Sequence, residues 1–225
     1  MNPLRMDPLH ATIALGPAAV YLLLIGMLNL SSRPFVTTGM RDLAALGIAL
    51  IGFVIAGPME LFLPERLMAH DWPWVAWLVL IGFYLLSLSL LVLLQRPRIV
   101  IYNVTSDQLR AALGDVISQL DKDARVAGDS ICMPNLGVQM HVEPLPVLKN
   151  VQLKSSGPLQ SYQGWWEVET ALRAALRNSR GIANPYGVSL LIFGLSMLAI
   201  VLAMMTFQSD EIAQGWIEMM RSSPD

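Results

Sequence analysis

Three groups of residues in this chain combine reactive side chains with a spacing that chemistry could use. The first is Glu60, the one carboxylate inside an otherwise apolar stretch, in Gly57-Pro58-Met59-Glu60-Leu61. An acid at membrane depth beside a proline break could serve as a proton or cation site. The plainer reading, which we favour, is that Glu60 lies within a turn of the end of its stretch, near Glu65 and Arg66, and reaches the headgroups. The second group is His141 with Glu143, alternate positions of one run, facing Gln152 and Lys154 of another. They could form a small polar site, although a solvated sheet face is the commoner fate of such a pattern. The third is Trp165-Trp166 followed by Arg173, Arg177 and Arg180, a basic helix that could rest on anionic headgroups. Alternatively Trp165 is core and the arginines flank a membrane segment; the two readings are compatible.

Other chemistries find little support. The single cysteine, Cys132, excludes an intrachain disulfide and a zinc site built on several thiolates. Set between Ile131 and Met133, it reads as packed rather than nucleophilic. The three histidines, His10, His70 and His141, are far apart, and there is no H-E-x-x-H, phosphate-cradling glycine loop or nucleophile elbow. We therefore expect no catalytic residue, no metal ligand and no cofactor. A net charge of −2, without a basic run interleaved with aromatics, points away from nucleic acid.

The elements that must position these residues are of two kinds. Of 225 residues, 54% are hydrophobic and 14% charged, against about 25% charged in soluble domains. The charge deficit is concentrated in four apolar stretches, about 12–30, 43–63, 74–94 and 186–207. Each has the roughly 20 residues a helix needs to cross a bilayer, and Trp72, Trp74, Trp77 and Tyr186 stand where interfacial aromatics belong. The first stretch is longer than a signal-peptide core and is expected to be retained. The chain thus reads as an α-helical membrane protein with an inserted small α+β domain. Three transmembrane helices lie in 1–95, the soluble domain in 96–182, and the fourth helix with a short amphipathic tail in 183–225.

Arginines near the segment ends number seven on the insert side (Arg33, Arg41, Arg96, Arg98, Arg173, Arg177, Arg180) and three on the other (Arg5, Arg66, Arg221). The positive-inside rule then places 96–182 in the cytoplasm and both termini outside, in the plasma membrane. Within the insert, Ile99–Val104 reads as a strand and Thr105 with Gln108 as a capping box. Leu109, Leu113, Val116 and Leu120 form an apolar stripe. Arg125–Met133 and Val138–Glu143 follow as strands around Pro134–Gly137, with Pro144 and Pro146 breaking the second. Asn150–Lys154 is a further strand, and a second helix begins near Trp165, with Trp165, Val168, Leu172 and Leu176 inward. The expected order is β-α-β-β-β-α.

Functionally, these features favour a non-enzymatic scaffold, assembly factor or accessory subunit. Its partners would be the bilayer and a protein partner or second copy, met through the cytoplasmic domain. The alternatives are a subunit of an oligomeric transporter or channel using Glu60, and a membrane-bound enzyme with a site around His141.

Overall fold

The computed structural model describes residues 7–59, 73–145, 150–158, 160–177 and 179–220. Four of its helices are long and apolar enough to cross a membrane: Pro8–Leu30, Gly39–Gly57, Trp74–Leu94 and Tyr186–Phe207. Glu60 and Pro146 lie outside the described residues. In chain order the elements are α1 (Pro8–Leu30), β1 (Phe35–Thr38), α2 (Gly39–Val54), α3 (Pro73–Leu94), β2 (Arg98–Tyr102), α4 (Ser106–Leu120), β3 (Arg125–Ala127), β4 (Ser130–Met133), β5 (Val138–Leu145), β6 (Asn150–Ser155), α5 (Tyr162–Leu176), α6 (Tyr186–Phe207) and α7 (Ser209–Met220).

The chain divides into two compact units, of which the first gathers most of the apolar helical residues. Helix α1 begins four residues before its expected start. Asp7 accepts a hydrogen bond from the Leu9 amide at 2.9 Å, and Pro8 occupies the first turn, where its missing N–H costs nothing. Helix α2 also starts early, at Gly39. Its α-helical bonding gives way to a π-turn over Ile55–Met59, at the place where Pro58 cannot donate a backbone hydrogen bond. Packing within this unit relies on close approach. Ala18 and Ala19 of α1 cluster with Met197 of α6, the Tyr84 hydroxyl donates to the Gly47 carbonyl at 2.7 Å, and a Cβ on Gly52 would collide with the Ile13 carbonyl. The outer faces are large and apolar: Leu78, Val79, Phe83, Leu86, Leu90, Leu93 and Leu94 are all exposed on α3.

The second unit comprises Ile25–Leu43 and Leu93–Ser189. Its centre is a six-stranded antiparallel sheet in the order β1-β2-β6-β5-β4-β3. Ile99, Ile101, Met133, Val138, Met140, Val142, Val151 and Leu153 face α4 and α5 in one core with Leu109, Leu113, Trp165, Val168 and Leu172. The alternation of β5, inward at Val138, Met140 and Val142 and outward at Gln139 and His141, is the one the sequence shows. The capping box forms as expected, Thr105 Oγ1 accepting from Gln108 N while Gln108 returns a bond to the Thr105 amide.

The expected order β-α-β-β-β-α needs correction in three places. Arg125–Met133 is not one strand but two, β3 and β4. The Gly128-Asp129 pair turns between Ala127 and Ser130, with Gly128 at φ +60°, a conformation two-residue hairpins favour. Pro144 does not break β5, which runs on to Leu145 paired with β6. Beyond His141 the other side of β5 has no β4 partner, and an edge tolerates a residue that cannot donate. Finally, Phe35–Thr38, expected as a loop between two membrane helices, is a strand paired with β2 from Phe35↔Tyr102 to Thr38↔Ile99. Helix α5 also begins three residues earlier than expected, at Tyr162, because Ser161 caps it through the Gly164 amide.

Buried asparagines join the chain segments at one end of this sheet. Asn103, fully buried with φ +60°, donates from Nδ2 to the Leu28 carbonyl at 2.6 Å. Its own carbonyl accepts from the Ile182 amide. The Asn184 amide donates to the Asn29 carbonyl at 2.7 Å, and the two side chains meet at 3.4 Å. The end of α1, the end of β2 and the approach to α6 are thereby tied together. We expect Asn103→Gly, which keeps the left-handed backbone but loses the side-chain bond, to cost about 1–2 kcal/mol. Asn103→Ala should cost about 1 kcal/mol more, because alanine resists that backbone conformation. Unfolding of the full chain in mild detergent measures both, and equal stability of the two variants would refute this account.

Candidate functional site

On the sheet face opposite the helices, register places Lys154, His141 and Ser130 side by side across β6, β5 and β4. His141 and Glu143 do not act as a pair. His141 Nδ1 lies 3.3 Å from Ser130 Oγ, whereas Glu143 forms an ion pair with Lys154. A serine hydroxyl within reach of an imidazole has the elements of an activated nucleophile. Here both sit on an exposed face, and among the described residues no third group orients the ring. Ser130 was not singled out from sequence, since only the β4–β5 register brings it opposite His141. Among the described residues there is no group of three or more potential metal ligands.

A more enclosed arrangement lies on the side of α5. Trp165 is buried and donates from Nε1 to Gln160 Oε1 at 2.8 Å, so it belongs to the core. Trp166, next in sequence, turns outward and is 63% exposed. Three residues on, Glu169 is only 5% exposed. A carboxylate so deep must be paired to remain charged. Two guanidiniums satisfy it: Arg173, one turn along α5, at 2.5 Å, and Arg41, from the first turn of α2, at 3.1 Å. Arg173 also donates to the Val36 carbonyl of β1 at 3.2 Å. The Glu169–Arg173 spacing is visible in the sequence; Arg41 is not, because nothing local links residues 41 and 169. Arg177, by contrast, is the exposed C-cap residue of α5, and Arg180 is exposed as well.

Beside this cluster is a groove of about 250 Å³ whose lining includes Met40, Arg41, Arg98, Tyr162, Trp166 and Glu169. The Arg98 side chain lies directly across Gly39, where a Cβ would strike it. Its Nε is buried and has no hydrogen-bond partner among the described residues. Within this groove, then, the structure gathers Trp166 of the sequence-predicted set and adds Arg41, Arg98 and Tyr162, while Arg173 stands behind it on Glu169.

Comparison with known protein families, curated proteins and solved structures yields no match.

Arg41 and Arg173 are more than half exposed, so removing Glu169 would leave both cations in contact with water. The penalty should therefore fall below the 3–5 kcal/mol of a broken, fully buried pair. We expect Glu169→Ala to lower stability by about 1–3 kcal/mol, and Ser130→Ala or His141→Ala to change it by less than about 0.5 kcal/mol. Thermal unfolding in detergent followed by near-ultraviolet circular dichroism measures these, and a neutral Glu169→Ala would dissolve the proposed clamp.

Proposed function

We propose that this chain is an integral membrane protein that presents its sheet domain to the cytoplasm as a non-enzymatic docking module, a scaffold or accessory subunit for a protein partner or a second copy. The observation that carries the reading is the form of the second unit. A six-stranded sheet, backed by two helices, offers an open polar face bearing Gln139, His141 and Ser130. An open polar face of this kind suits recognition by complementary charge and hydrogen bonding better than enclosure of a small substrate.

Membrane insertion is supported by the length and apolarity of the four helices and by the large apolar side chains exposed along them, which soluble proteins seldom carry in contiguous patches. Orientation rests on the seven-to-three arginine count.

Two measurements test the reading. In a Cys132→Ser background, Ser118→Cys on the exposed side of α4 should resist an impermeant thiol reagent added to intact cells, whereas Ser209→Cys, exposed at the start of α7, should react. The reverse labelling would invert the orientation. For docking, size exclusion with light scattering in mild detergent should show a stoichiometric complex or oligomer, and His141→Glu with Lys154→Glu should disrupt it. An inert monomer, or a complex indifferent to those substitutions, would overturn the assignment.

A further inference from the structure

We infer that the groove between the N-terminal half of α5 and the β1–α2 junction binds the phosphate headgroup of an anionic phospholipid. The inference rests on the membrane reading of the four helices and gives the sheet domain a lipid site distinct from its open face.

Position comes first. Met40 and Arg41 are the second and third residues of the span that begins at Gly39, while Arg98 comes four residues after the span that ends at Leu94. Four residues of extended chain reach at most about 14 Å, and a helix rises only 1.5 Å per residue. If these helices cross a bilayer, the groove opens at or beside the headgroup layer. Its exposed aromatics agree: Tyr162 is 65% and Trp166 63% exposed, costly in open water but suited to an interface.

Charge comes second. The cluster holds three guanidiniums, on Arg41, Arg98 and Arg173, against the single buried carboxylate of Glu169. Glu169 engages Arg41 and Arg173 and leaves Arg98 to the groove. The neighbouring acid, Asp42, keeps its charge while accepting a hydrogen bond from the Tyr102 hydroxyl at 2.9 Å, so three guanidiniums face two carboxylates, and Glu143 is neutralised by Lys154. The balance around the groove is therefore positive. A planar guanidinium with N–H groups to spare, such as those of Arg41 and Arg98, matches the oxygens of a phosphodiester. Gly39 is what lets the Arg98 stem lie over the start of α2. Anionic lipid is concentrated in the cytoplasmic leaflet, the side to which the arginine count assigns this groove.

The test uses the purified full chain in nanodiscs of phosphatidylcholine containing a minor fraction of phosphatidylglycerol, with bound lipid counted by native mass spectrometry. The expected result is selective retention of phosphatidylglycerol, weakened about five-fold in Arg98→Gln and weakened also in Trp166→Ala. Gly39→Ala, which displaces Arg98 without removing its charge, should weaken it too, and Arg98→Lys should retain part of it. Trp166 is an exposed side chain, so its variant keeps the test valid if Arg98→Gln fails to fold. Equal retention of the two lipids, or retention unchanged in folded Arg98→Gln and Trp166→Ala, would overturn the inference. So would full displacement by inorganic phosphate, which would assign the groove to a soluble anion. Extraction of the wild-type chain from membranes by alkaline carbonate would sink the membrane reading itself; retention in membranes without lipid selectivity would sink the groove alone.

Discussion

Glu169 keeps a negative charge almost out of reach of water, and the cations that make this tolerable belong to different parts of the chain. Arg173 lies one turn further along the same helix; Arg41 is 128 residues away in the first turn of α2. Because Arg173 also bonds the Val36 carbonyl, one carboxylate joins helix α5, edge strand β1 and the start of an apolar helix. Desolvating a carboxylate without partners costs several kcal/mol, so the clamp opposes any arrangement in which these three elements separate. The half-exposed arginines keep the cost of holding their charges low while still completing the pairing.

The asparagine junction at the end of β2 applies the same logic with uncharged groups. Asn103, Asn29 and Asn184 are buried, where an amide without partners is costly; the Asn103 side chain is bonded through Nδ2, while its Oδ1 has no partner among the described residues. Their hydrogen bonds are made across segments far apart in the chain, which aligns the ends of α1 and β2 with the approach to α6. Asparagine suits Asn103 because its short polar side chain tolerates the left-handed backbone and still reaches Leu28. Together the clamp and the junction hold the separate chain segments of this second unit to one another.

What could be read from the sequence was what depends on neighbours within a few residues. The apolar stretches, the Thr105–Gln108 capping box, the inward stripe of α5 and the alternation of β5 are periodicities or short-range bonds, and the structure shows each of them. The hairpin at Gly128-Asp129 is also a local feature, but Arg125–Met133 is short enough to read equally well as one strand. The candidate site was legible only in pieces. Trp166 and Arg173 were visible as a helical pattern, whereas the contributions of Arg41 and Arg98 depend on the path of the chain between distant elements. His141 and Glu143, adjacent on one strand face, find partners on opposite sides because their neighbours, Ser130 and Lys154, are set by inter-strand register.

Phe35–Thr38 marks the boundary between the two kinds of information. Its composition, an aromatic followed by three β-branched residues, permits a strand, but four residues cannot satisfy their own extended backbone, so the segment reads equally well as a loop. It becomes β1 only because β2, more than sixty residues later, supplies the hydrogen-bonding edge. The sequence by itself determined which segments are apolar enough for a membrane and which faces of the soluble elements turn inward, since both follow from side-chain hydrophobicity at fixed spacing. Only the tertiary structure decided which segments pair, which buried charge meets which cation, and where the groove forms, because these depend on bringing together groups that the chain keeps far apart.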